Sequence, residues 1–276
     1  MNKRYHSILA SDLDGTLLFG KDQLSKENYD AITALEEMGV CFAPCSGRAL
    51  TEMPKCILDH PSIRYYISAD GSSIYDKQTD THTECALDQA TSCRVLDILN
   101  EYRQLSTVRS HGISYVDGTK SDYESLLRYR MTKNYAEFIR YYCCAIVNFD
   151  CVVRHLGSIQ MICAFFEDDR EMAECKDRML SLGVALTSSE KNNIEIHHAN
   201  AGKGNGVLRL ADLLGVPHER TFSVGDSEND MDMIKKAGVS LAMENASDRL
   251  KAMADHTICH YKDHSAKYIL EHFFSK

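Results

Sequence analysis

Four short polar clusters carry the residues that could do chemistry: Asp12-Leu13-Asp14-Gly15-Thr16, Cys45-Ser46-Gly47-Arg48, Gly202-Lys203-Gly204 and Gly225-Asp226-Ser227-Glu228-Asn229-Asp230. Gathered at one place they would supply carboxylates, a hydroxyl, an ammonium and glycine-flanked backbone N–H groups. Asp12, Asp14 and Asp226 crowded together need a cation. Hard oxygen ligands of this kind suit Mg2+, which readily bridges to phosphate, whereas zinc prefers Cys and His. Such a cation, with Lys203, would neutralise an anionic substrate so that an anionic nucleophile could approach it. Ser46 and the backbone N–H groups add donors without negative charge. One carboxylate of an i, i+2 pair could attack phosphorus while the other gives a proton to the leaving oxygen and later takes one from water.

These clusters need elements to hold them, and the flanking patterns provide those elements. Tyr5 to Ala10 is apolar and reads as a buried strand running into Asp12. Ser25 is a helix N-cap, Ala31, Ile32, Leu35 and Met38 recur at helical spacing, and Gly39 ends the helix. Val40 to Pro44 predicts a second strand ending at Cys45-Ser46. A helix is expected through Leu58, and Tyr65 to Ser68 predicts a third strand closed by the Asp70-Gly71 turn. After Gly202 a helix runs through Leu214 to Gly215-Val216-Pro217, a strand Thr221 to Val224 leads into Gly225-Asp226, and a helix and the strand Val239 to Met243 follow. Strand alternating with helix predicts an α/β fold with a Rossmann-like, doubly wound parallel sheet, whose ligands sit outside the carboxyl ends of the strands.

The texture between these halves differs. A helix around Val95 to Leu99, a hairpin around His111-Gly112, a helical Tyr- and Leu-rich stretch over 121–147, a strand Ser158 to Phe166, a helix Met172 to Leu182 and two short strands to Ile196 predict an α+β unit. The expected division is a core of 1–84 plus 190–276 and an inserted cap of 85–189, far longer than an ordinary connecting loop.

The four clusters, in this order, resemble the four motifs of the haloacid dehalogenase superfamily of phosphatases, and the position and size of the insertion resemble the Cof-like branch. The resemblance implies a Mg2+-dependent phosphatase acting on small phosphorylated metabolites. It makes Asp12 the nucleophile and a metal ligand, and Asp14 the general acid/base with its backbone carbonyl on the metal. Asp226 is the third metal ligand. Ser46, Gly47, Lys203 and Asn229, with the backbone N–H of Leu13, hold the phosphate, and Asp230 orients Lys203. Position 46 more often holds Thr in the family, and Asp70 stands where Asn is more common. The same motifs would serve phosphoryl transfer between sugar phosphates, as in a phosphomutase. They would also suit a non-catalytic phosphometabolite sensor, though the intact Asp12/Asp14 pair counts against that. Arg48 and His111 are candidates for reading the leaving group.

Other patterns carry less. Gly202-Lys203-Gly204-Asn205-Gly206 is no Walker loop, since His197 and Gly204 occupy its required Gly and Ser/Thr places, and Val207 breaks Gly-x-Gly-x-x-Gly. Tyr123, Tyr129, Tyr135, Tyr141 and Tyr142 are expected to pack within the cap with hydroxyls at its rim. His197-His198 is expected to be an exposed hinge. The 276 residues are 44% hydrophobic and 26% charged, as in a globular protein. A net charge of −9 excludes a broad nucleic-acid or anionic-membrane surface. The start Met1-Asn2-Lys3-Arg4 has no signal-peptide apolar region behind it, and no run approaches the ~18 apolar residues of a membrane span. A cytoplasmic protein is expected, with its 11 cysteines reduced and mostly packed in the core, no zinc site among them, and no oligomeric state assigned.

Overall fold

The computed structural model describes residues 5–20 and 22–275, so the reading of Met1–Arg4 lies outside the described residues. The first strand, β1 (Ser7–Ser11), is buried at every position, as a parallel strand covered on both faces must be. The helix Lys26–Glu37 starts where Ser25 accepts from the Asn28 N–H and buries Ala31, Ile32 and Leu35. Gly39, at φ 84°, turns the chain into β2 (Val40–Pro44), again buried throughout. The single helix expected through Leu58 is two short turns, Leu50–Glu52 and Lys55–Leu58, separated at Pro54, which has no N–H to continue a helix. β3 (Tyr65–Ser68), β4 (Ser73–Asp76) and β5 (Thr81–Glu84) form a small sheet in that order, with β3 and β4 joined through Asp70-Gly71.

The chain then enters a second compact unit. Its sheet contains β6 (Gln104–Ser110), β7 (Ile113–Asp117), β8 (Cys144–Ile146), β9 (Met161–Phe166), β10 (Ala185–Thr187) and β11 (Asn193–His197), in the order β10-β11-β9-β6-β7-β8. All pairs are antiparallel except β7 with β8. Helices Gln89–Leu99 and Asp169–Leu180 share one core with Ile162, Ala164 and Phe166. Helices Tyr123–Arg128 and Lys133–Tyr142 share another with Leu105, Cys163 and Phe165, the alternate residues of the same strands. The stretch 121–147, read as helical, thus ends in strand β8, and a short helix, Phe149–Val153, follows that no pattern announced.

The compact units are Met1–Arg48, Met53–Thr83 and Gly202–Lys276 on one side, and Ala49–Glu52 with Glu84–Ala201 on the other. The second unit thus reaches Ala201, past the return expected at 190. β11 pairs with both β9 and β10, so the strand that follows residue 190 belongs to the inserted sheet. His197 lies on that strand with 2% of its surface exposed, so it is a buried sheet residue and not an exposed hinge.

The first unit resumes with the helix Lys203–Leu214, ended by Gly215 at φ 65°, and continues through β12 (Thr221–Gly225), β13 (Val239–Ala242) and β14 (His256–Thr257). Its sheet runs β14-β13-β12-β1-β2 with every pair parallel. A parallel bridge from Cys45 to Ile67 carries β2 on to β3. The central strand β1 lies between one strand from early and one from late in the chain, the place where an open α/β sheet opens a crevice at its carboxyl ends. All 11 cysteines are free. Only Cys41, Cys45, Cys163 and Cys175 are buried, fewer than a mostly core role requires. Of the tyrosines, Tyr129 is buried and Tyr135 packs on Phe165 at 5.2 Å, but Tyr141 is 81% exposed. Among the described residues no helix is long and apolar enough to cross a membrane.

Candidate active site

The carboxyl ends of three adjacent strands, β12, β1 and β2, are followed at once by Asp226, Asp12 and Cys45-Ser46. Lys203, the first residue of its helix, completes the arrangement. Its Nζ lies 2.7 Å from Asp12 Oδ1 and 2.6 Å from Asp230 Oδ1, with only 1% of the lysine exposed. Burying an ammonium this deeply is tolerable only because two carboxylates hold it. Burial opposes its charge, but Asp12 and Asp230 together raise Lys203 well above the ordinary lysine range.

Asp230 is fully committed. Its other oxygen, Oδ2, accepts from the N–H groups of Asp226 and Ser227, each at 3.0 Å. This capping of the Glu228–Asp230 turn makes Asp230 a fixed post for Lys203. The side chain also crowds Gly225, where an added Cβ would lie 2.5 Å from its Cγ. Asp226 is held by Thr16 Oγ1 at 3.2 Å and Asn245 Nδ2 at 3.3 Å, and Asn245 also ties down the Gly15 carbonyl at 2.8 Å. Gly15 has φ 78°, and a Cβ there would sit 2.5 Å from Asp226 Oδ2, so the Asp-Gly turn is required by both backbone and space.

Burial, and then the charge of Asp230, pushes Asp12 well above the carboxylate range. The same two causes raise Asp226 to about 6. Carboxylates held this way gain from a cation. Asp12, Asp226 and Asp230 each place an oxygen within 4.8 Å of the others, the one such group among the described residues. Asp230 is tied by the Lys203 ammonium on one oxygen and by two N–H groups on the other. Among the described residues Asp12 Oδ2 accepts no such bond, and Asp226 accepts a single bond on each oxygen, at 3.2 and 3.3 Å. Asp12 and Asp226 are therefore the carboxylates left to hold a hard ion, and the donor set fits a magnesium-type cation.

Asp14 stands apart from this cluster. Its side chain is 61% exposed, and both its oxygens are taken by Arg48. Arg48 Nη1 also reaches Asp22 Oδ1 at 3.0 Å. Ser46 is buried, and its Oγ accepts from the Arg48 N–H at 3.2 Å. Gly47 lies beneath the Asp70 carboxylate. Leu13 is a fully buried core side chain whose carbonyl accepts from Leu17 and Leu18, so only its backbone can serve a ligand. Asn229 is half-buried and accepts from Ser227 Oγ at 2.6 Å.

The structure thus brings Asp12, Lys203, Asp226 and Asp230 into one hydrogen-bonded cluster and sets Ser46 and Gly47 on the neighbouring strand end. Thr16, Asn245 and Asp22 were missed. Asn245 follows β13, the next strand of the same sheet, so polar residues after each strand would have found it. Thr16 lies within the first cluster itself.

The haloacid dehalogenase-like hydrolase family matches residues 9–270. The chain belongs to that family and is an enzyme of its phosphatase class. It is 28% identical, over 97% of this chain and 98% of the other, to the 5-amino-6-(5-phospho-D-ribitylamino)uracil phosphatase YwtE of Bacillus subtilis. It is 24% identical, over 96% and 98%, to the pyridoxal phosphate phosphatase YbhA of Escherichia coli. Among solved structures it resembles a haloacid dehalogenase-like hydrolase from B. subtilis, with TM-score 0.80, 26% identity, and coverage of 97% of this chain and 100% of that one.

Proposed function

We propose that this protein hydrolyses phosphate monoesters of small metabolites with Mg2+ through a covalent phosphoenzyme at Asp12. The carrying observation is the buried Asp12 carboxylate: Lys203 holds Oδ1 at 2.7 Å, while Oδ2 carries no such bond among the described residues. Oδ2 attacks phosphorus, the ester P–O bond breaks, and Asp14 gives its proton to the leaving oxygen. Asp14 then takes a proton from water, the water oxygen bonds to phosphorus, the acyl-phosphate P–O bond breaks, and Asp12 is regenerated with release of inorganic phosphate. Ser46 Oγ, the N–H groups of Leu13 and Gly47, Lys203 and Asn229 hold the phosphate oxygens as charge shifts. Asp230 keeps Lys203 aimed. The cation would be held by Asp12, Asp226 and the Asp14 carbonyl, and would neutralise the phosphate charge.

The inserted unit, residues 85–189 by the sequence reading, selects the leaving group in this scheme. The named relatives act on a phosphoribitylamino uracil and on pyridoxal phosphate, which supports a small phosphorylated metabolite with a ring. Phosphate release by Asp12→Asn tests the reading: loss of turnover by at least about 10⁴-fold with the fold retained is expected. Wild-type-like release would refute the covalent scheme.

A further inference from the structure

Three consecutive residues, Ala69, Asp70 and Gly71, take left-handed backbone, at φ 48°, 48° and 79°. The conformation is natural for Gly71 and costly for Ala69 and Asp70, and such runs persist only where surrounding bonds impose them. Here the bonds are visible. The Ala69 N–H donates to the Arg48 carbonyl at 2.9 Å, the Asp70 N–H to the Ser46 carbonyl at 3.1 Å, and the Gly202 N–H to the Asp70 carbonyl at 2.8 Å. The corner therefore joins the Ser46-Gly47-Arg48 loop to the start of the Lys203 helix.

Its result is the position of one side chain. The Asp70 carboxylate is 2% exposed and lies over Gly47, with Oδ1 3.1 Å from where a Cβ on that glycine would be. Its charge is felt by Lys203 and by the Cys45 thiol. A cradle of N–H, hydroxyl and ammonium donors has no use for a carboxylate as a phosphate ligand. An ionised carboxylate placed this close to the cradle would instead repel a phosphate dianion.

The geometry points to Asp70 as a built-in repulsive element that lowers the affinity of the Ser46-Gly47-Lys203 cradle for phosphate, so that the inorganic product leaves readily. This rests on the phosphate-site reading above. Repulsion felt equally by ester and product weakens both, and it raises turnover where product release is slow.

The test is calorimetric binding of inorganic phosphate to the Mg2+-loaded protein, with product-inhibition constants alongside, for wild type, Asp70→Asn and Asp70→Gly. Asn tolerates the left-handed region and keeps the side-chain shape, and Gly removes both carboxylate and strain, so one of the two keeps the test open if the other fails to fold. Both variants are expected to bind inorganic phosphate roughly tenfold more tightly. KM should fall in step, and kcat should hold or fall. A purely structural role would instead loosen phosphate and raise KM. Binding to wild type that the variants leave unchanged or weaken overturns this inference alone. Binding to none of the three overturns it together with the phosphate-site reading.

Discussion

Arg48 grips both carboxylate oxygens of Asp14, with Nε 3.0 Å from Oδ2 and Nη2 2.8 Å from Oδ1. A forked pair of this kind fixes the plane of the carboxylate as well as its place. The side chain proposed as acid and base is thus held by a residue of the next strand end, and Asp22 steadies the same guanidinium from the other side.

The fork sets up a first prediction. Arg48→Lys keeps the charge but loses the two parallel bonds, so kcat is expected to fall about tenfold, with Arg48→Ala lower still. Steady-state rates with a small phosphate ester measure this. Turnover unchanged in both variants would show that Asp14 needs no such orientation.

A second prediction concerns the cation. Asp12 keeps an oxygen for it and Asp226 accepts only one bond on each of its two, so chelation is expected to remove more than about 99% of activity and Mg2+ to restore it. An ion bound only by the folded state also stabilises it, by roughly 2.7 kcal/mol at a hundred times its Kd. Calorimetric melting of the chelated protein with and without Mg2+ reads this directly. A transition indifferent to the ion would remove the metal from the scheme.

The pH dependence of the metal-free protein follows from Asp226, which is held at about 6 in the fold and near 3.9 when unfolded. A raised folded value means stability that is complete below the unfolded pKa and lost as pH rises through the folded one. Without metal, Asp226→Asn should match wild type near pH 4 and exceed it near pH 7.5 by on the order of 2 kcal/mol. Urea titrations at the two pH values decide. Equal stability at both would show that the carboxylate is not strained by its surroundings.

In the inserted unit, Arg109 Nε lies 3.2 Å from Glu52 Oε2, with the two side chains 6% and 1% exposed. Removing one partner of a buried ion pair strands the other charge, so Glu52→Gln is expected to destabilise by about 3 kcal/mol. The double change Glu52→Gln with Arg109→Met should recover much of that loss. A single variant as stable as wild type would contradict the pairing.

Much of this was legible in the sequence because it is local. Strand β1 carries the apolar run Ile8-Leu9-Ala10, Ser25 and Gly39 punctuate a helix, three of the four polar clusters follow a strand at its carboxyl end and the fourth opens a helix. What escaped is long-range or one-sided. Nothing near residue 190 says that β11 pairs with β9, since register between distant strands leaves no periodic trace. β8 hid because its three residues continue a helical stretch and none of them is buried. Within the site, Lys203 and Asp226 carry a motif, whereas the grip of Arg48 on Asp14 and the placement of Asp70 over Gly47 depend on a shared sheet edge.

Residues 49–52 lie early in the chain yet belong to the inserted unit, where Thr51 bonds Gly112 and Glu52 meets Arg109. That arrangement has a consequence for modular exchange. A chimaera built by transplanting residues 84–201 from a relative would carry a new Arg109-bearing hairpin but keep the host's Thr51 and Glu52, leaving a mismatched joint inside the graft. A gene fragment encoding 84–201 alone would carry the arginine without its counter-charge. Whoever exchanges the inserted unit between such enzymes has to move two separate stretches of sequence, one of them only four residues long.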